Sequence, residues 1–123
     1  MNNKNNGVMF ESQLKAILKS YGRNVFSLSI PETADLIMVN GRTYLIECKT
    51  THSEIWKIKN FSQYERLKSY ALKGIAVFYA IKFTIKHKSE IRIYNILDPD
   101  YPYTLKNGFT IEEFIQFTDP KYD

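Results

Sequence analysis

Glu47-Cys48-Lys49 is the only Glu-x-Lys in the chain, and it lies in a run from Thr43 to Thr50 that reads as a strand. Residues two apart in a strand share a face, so Glu47 and Lys49 point one way while Ile46 and Cys48 point the other, into apolar packing. Charges on an otherwise apolar strand are costly to bury unless they pair or bind something. The bland alternative is a solvated surface pair, worth little. Asp35 opens the preceding strand, and Glu11 lies on a helix earlier in the chain. Two facing carboxylates joined by a third repel strongly without a cation. They make an oxygen-rich site suited to Mg²⁺, with Mn²⁺ as a substitute. A metal there would polarise a phosphodiester and lower the pKa of a bound water, so that it attacks as hydroxide. Lys49 could orient or deprotonate that water, or stabilise charge developing on the phosphate. Cys48 reads as core, with only its backbone carbonyl available to the metal.

Whether Asp35 joins Glu47 depends on the Asn40-Gly41 turn. A two-residue turn would set Asp35 opposite Ile46 and aim it away from Glu47. A three-residue loop with a bulge restores the parity and brings both carboxylates to one face. The latter is expected here.

The elements that must hold these groups follow from periodicity. Phe10, Leu14, Ile17, Leu18 and Tyr21 recur at helical spacing from Gly7 to Tyr21, with Gly22 as the stop. Glu11 lies about 100° round from Phe10, at the edge of that apolar stripe. Asn24 to Ile30 and Asp35 to Val39 read as strands, and Ile55 to Ile58 as a short strand or edge segment. Ser62-Gln63-Tyr64-Glu65 matches a capping box, opening a helix whose apolar face is Tyr64, Leu67 and Ala71 and whose stop is Gly74. Ile75 to Phe83 is an apolar strand expected at the sheet centre, and Glu90 to Ile96 another strand. Asp98 to Pro102 reads as a loop. Thr110-Ile111-Glu112-Glu113 opens a short last helix. The order α-β-β-β-α-β-β-α implies an α/β fold, a mixed central sheet of about five strands flanked by helices.

The 123 residues fit one domain, expected over residues 7–123 with a frayed Asn/Lys-rich segment at 1–6. A hydrophobic fraction of 44% and an aromatic fraction of 15% are those of a folded protein. One cysteine excludes both an internal disulfide and a cysteine-rich zinc site. No signal peptide or membrane span is visible, so an intracellular protein is expected, with no membrane partner and no small-molecule cofactor. The net charge of +4 and pI of about 9.1 are compatible with a polyanionic partner. Lys57, Lys59 and Arg66 are candidate phosphate contacts, and Trp56, in a short segment with Lys57 and Lys59, is a candidate stacking surface for nucleic acid. Tyr70, Tyr79 and Phe83 are candidates for a dimer face. His52 and His87 are isolated and take no role.

The run Gly7-x-x-x-Glu11, Leu14, Leu18, Gly22 and Val25, then Asp35-Leu36-Ile37, then Tyr44-Leu45-Ile46-Glu47-Cys48-Lys49-Thr50-Thr51 resembles the archaeal Holliday junction resolvases, within the PD-(D/E)xK nucleases. The similarity runs on through Arg66-Leu67, the strand Ala76 to Phe83 and a last helix near Gly108. It implies a restriction-endonuclease-like core and a homodimer that uses Mg²⁺ to make paired nicks near the branch point of a four-way DNA junction. Glu11, Asp35, Glu47 and Lys49 match the family's catalytic positions. Ser29 is the nearest match to its functional serine in the loop before the aspartate, although the loop here is longer. The arginine common before that loop is replaced by Phe26-Ser27. Two rival readings stand beside this one. One is another PD-(D/E)xK nuclease, restriction-type or a repair nicking enzyme, on duplex or flap DNA. The other is a DNA-binding module without activity, against which the intact four-residue pattern argues.

Overall fold

Phe10, Leu14 and Leu18 fall four residues apart, so one stripe of the first helix is apolar and fully buried. The computed structural model describes residues 3–29, 34–98 and 101–120, the first four of these as backbone only. In it this helix, α1, runs Asn3–Ser20 and ends at Gly22, which takes the left-handed backbone (φ 82°) open to glycine. The helix begins earlier than expected. The backbone of Asn3 to Asn6 belongs to it, since asparagine lowers helix propensity only modestly and no proline interrupts the turn. Met1 and Asn2 lie outside the described residues.

Three strands follow: β1 (Asn24–Ser27), β2 (Leu36–Val39) and β3 (Thr43–Thr51). β1 is shorter than expected, and its last expected residue, Ile30, lies outside the described residues. β2 and β3 pair antiparallel with Val39 opposite Thr43, so their loop is the three residues Asn40-Gly41-Arg42. Gly41 sits at φ 79° with Pro120 packed 3.2 Å from where a side chain would begin. Pairing is regular from Val39–Thr43 to Leu36–Ile46, so the parity comes from the odd loop length. The short strand β4 (Ile55–Trp56) leads to helix α2 (Phe61–Leu72), which carries the chain over to β5 (Ala76–Ile85), parallel to β3. The cap of α2 is Asn60, whose side chain accepts the Gln63 N–H at 3.0 Å. The expected Ser62 box gives way because Asn60 caps first, and the Ser62 hydroxyl itself donates to Asn60. β5 turns through Lys86 and His87, both at positive φ, into antiparallel β6 (Lys88–Asn95). A two-residue strand β7 (Tyr103–Thr104), not expected from the sequence, pairs with β4. Helix α3 (Ile111–Phe117) starts at Thr110 in a complete capping box, as expected.

The main sheet has the order β1-β2-β3-β5-β6. One face packs on α1 and α3 through Val25, Leu36, Met38, Ile46 and Phe78. The other packs on α2 and the β4–β7 pair through Val77, Tyr79, Ile81 and Phe83. Burial on both faces explains the near-continuous apolar run of β5. It also removes Tyr79 and Phe83, each 1% exposed, from any dimer face. Among the described residues no helix is long and apolar enough to cross a membrane.

Candidate active site

Strand parity places Glu47 and Lys49 on the face toward α2, with Ile46 and Cys48 in the opposite core. Glu47 is 4% exposed, a buried carboxylate in the middle of the sheet. Its Oε2 accepts from two donors, Lys49 Nζ at 3.2 Å and Gln63 Nε2 at 2.8 Å. Its Oε1 has no hydrogen-bond partner, an unusual condition for a buried oxygen.

β2 starts at Leu36, one residue later than expected, so Asp35 lies just before the Leu36–Ile46 pair, beside Glu47, whose carboxyl feels its charge. Its Oδ2 accepts the backbone N–H of Cys48 at 2.8 Å, which ties the start of β2 to β3. Two carboxylates therefore share one sparsely solvated spot. Burial, then the neighbouring Asp35 charge, pushes the Glu47 carboxyl up to about 7, against the pull of Lys49. Glu11 feels the same charge from α1: partial burial first, then Asp35, raises its carboxyl, with Lys15 opposing. Among the described residues no three His, Cys, Asp or Glu side chains converge tightly enough to hold a metal by themselves. The close carboxylate pair is Asp35 and Glu47. Glu11 reaches it through its field.

Cys48 contributes backbone, not sulfur. Burial holds its thiol well above its ordinary value, with the surrounding carboxylates adding to the shift, so the sulfur stays protonated and in the core. Ser29 is exposed, past the end of β1, and makes no described contact with this site.

A hollow of about 240 Å³ opens over Lys49, lined also by Gly7, Trp56, Lys59, Gln63 and Tyr79. A second hollow of about 400 Å³ continues from it past Thr50 and Thr51, flanked by Lys57 and Lys59. Both lysines are exposed, while Arg66 is half-buried on α2. Trp56 departs from its expected role. It is 7% exposed, stacked on Tyr103 at 6.0 Å and packed on Tyr79 at 5.1 Å. The β4–β7 pairing holds it in the core, so it walls the hollow and is not a free face for a base. Gln63 is the site residue that sequence reading passed over. No local pattern marks it, because its partner Glu47 lies 16 positions away on another element.

No family model matches the chain, and no curated protein matches it. A solved structure does: Archaeoglobus fulgidus Hjc, a Holliday junction resolvase from an archaeal hyperthermophile. The TM-score is 0.70 at 18% identity, over 90% of this chain and 96% of that one. The chain thus has the fold of that resolvase, a mixed five-stranded sheet flanked by helices.

Proposed function

We propose that the chain is a divalent-cation-dependent DNA endonuclease that resolves four-way junctions. The observation that carries this reading is the Asp35–Glu47 pair beside Lys49, with a buried Glu47 oxygen that has no partner. Hard oxygen donors crowded without enough hydrogen bonds fit Mg²⁺ or Mn²⁺ and suit no soft metal. Asp35, Glu47 and the Cys48 carbonyl would hold the ion, with Glu11 completing the acidic surround. When bound, it supplies a Lewis acid for the phosphodiester and a more acidic water.

The chain's own groups do the rest. Glu47 keeps one oxygen on Lys49 and Gln63 and leaves the other open. Lys49 lines the hollow beside Glu47, where it can orient the attacking water or balance charge on the phosphate. Lys57 and Lys59 offer cations to the backbone of a strand lying along the adjoining hollow. Fold likeness to a Holliday junction resolvase supports branched DNA as the substrate. Each chain carries one such centre, so paired nicks on two strands call for a homodimer.

The test is cleavage of four-way junction, duplex and flap DNA with Mg²⁺ and with chelator. Paired, symmetric, cation-dependent nicks confined to the junction are expected. Cleavage of duplex or flap instead would make the chain a different nuclease of this fold. Binding without cleavage of any substrate would sink the enzyme reading.

A further inference from the structure

We propose that Gln63 is a positioning residue that dictates which oxygen of Glu47 is presented to the cation. The inference rests on reading Asp35 and Glu47 as cation ligands and adds a group that is no ligand itself.

The geometry is a chain of three links. Asn60 caps α2 and accepts the Gln63 backbone N–H at 3.0 Å, which fixes where residue 63 begins. The Gln63 side chain then crosses to β3, where its Nε2 donates to Glu47 Oε2 at 2.8 Å. A carboxylate only accepts, so the amide nitrogen must face it. Lys49 donates to that same Oε2 at 3.2 Å. Both donors therefore saturate one oxygen, and Oε1 is left buried without a partner. A carboxylate gripped at one oxygen cannot rotate freely, so Oε2 stays with Gln63 and Lys49 and Oε1 is the oxygen left open beside Asp35. Lys49 alone would not suffice, because a flexible ammonium that must also serve the phosphate makes a poor anchor. A side-chain amide on the first turn of a capped helix is the more rigid clamp.

The test is calorimetric titration of Mn²⁺ into the full chain without DNA, at pH 8, beside single-turnover junction cleavage and a thermal melt. Gln63→Leu keeps the bulk and removes the donor. It is expected to weaken Mn²⁺ binding about tenfold or more, in the range for partners that orient metal ligands. Junction binding in chelator should stay unchanged. Gln63→His keeps a neutral N–H donor at comparable reach and should restore affinity to within about threefold of wild type. Gln63→Ala, which adds no bulk, replaces the leucine variant if that one melts early.

Glu47→Ala separates the two levels of the argument. If it abolishes Mn²⁺ binding while Gln63→Leu binds as wild type does, the positioning role is overturned and the cation site stands. If Glu47→Ala also binds Mn²⁺ normally, the ligand reading falls and takes this proposal with it. Equal weakening by Gln63→Leu and Gln63→His would assign the residue to packing and overturn the clamp.

Discussion

Asp35 sits one residue before β2 and Glu47 one residue past Ile46, the partner of Leu36, and Asp35 takes the N–H of the residue that follows Glu47. Their meeting is a matter of counting. Had Asn40-Gly41-Arg42 been two residues long, every side chain of β2 would have changed face relative to β3.

Deleting Arg42 should therefore separate the pair. Either β2 keeps its apolar face inward and slides, or Asp35 turns away from Glu47. In both cases Mn²⁺ affinity should fall at least tenfold. Gly41→Ala leaves the count intact and only strains a residue at φ 79° beside Pro120. It should cost roughly 1–2 kcal/mol of stability with the cation affinity kept. Urea denaturation and calorimetry distinguish the two variants, and an Arg42 deletion that binds Mn²⁺ normally would refute the parity argument.

Glu47 should make the cation-free protein pH-sensitive. Its carboxyl titrates near 7 in the folded chain against an ordinary 4.5, because burial and Asp35 disfavour the charge. Below the ordinary value both states are protonated and nothing is lost. As pH rises from the ordinary value to the folded one, the unfolded chain gives up its proton while the native carboxyl keeps it, and on the order of 3 kcal/mol of stability is lost. Stability in chelator should therefore fall between about pH 4.5 and 7 and level off above. Glu47→Gln should remove most of that fall and be the more stable protein at pH 8. Denaturation curves showing wild type and Glu47→Gln in parallel across this window would contradict it.

The same shift couples cation to proton. An ion on Glu47 displaces the proton held there, so binding at pH 6 should release up to about one proton, and at pH 8.5 almost none. Titration in two buffers of different ionisation heat reads the difference directly. Identical heats at pH 6 would mean that Glu47 is not a ligand.

How much of this was legible beforehand follows physical lines. Strand parity alone put Glu47 and Lys49 together, since two residues on one strand need no knowledge of the rest of the fold. Asp35 was legible only as a conditional, because its facing hung on a loop length that Asn40-Gly41 left ambiguous. Gln63 was not legible: its donation to Glu47 spans 16 positions and depends on where α2 docks. The Ser62 box also drew attention from the true cap, Asn60. Trp56 misled for a related reason. The two lysines that follow it suggested an exposed segment, whereas its burial comes from β7, a strand of two residues with no pattern of its own. The Lys86–His87 turn likewise carries none of the Asn-Gly chemistry that announces a tight hairpin.

The distinction between lysines should show in salt dependence. Lys57 and Lys59 are exposed beside the hollow that leads from the centre, so each is suited to a phosphate. Replacing either by alanine should weaken junction binding a few-fold and lower the slope of log affinity against log salt by about one. Cleavage at saturating DNA should persist. Lys49 lies inside the centre, 3.2 Å from Glu47, and Lys49→Ala should do the reverse. Binding in chelator should change little, while single-turnover cleavage drops by roughly 100-fold or more, the scale of a lost charge-stabilising group. Trp56→Ala serves as the control for core against contact. It should cost about 3–5 kcal/mol of stability, as loss of a packed aromatic does, with no change in salt slope. A stable Trp56→Ala protein with weakened DNA binding would instead restore Trp56 to the DNA surface.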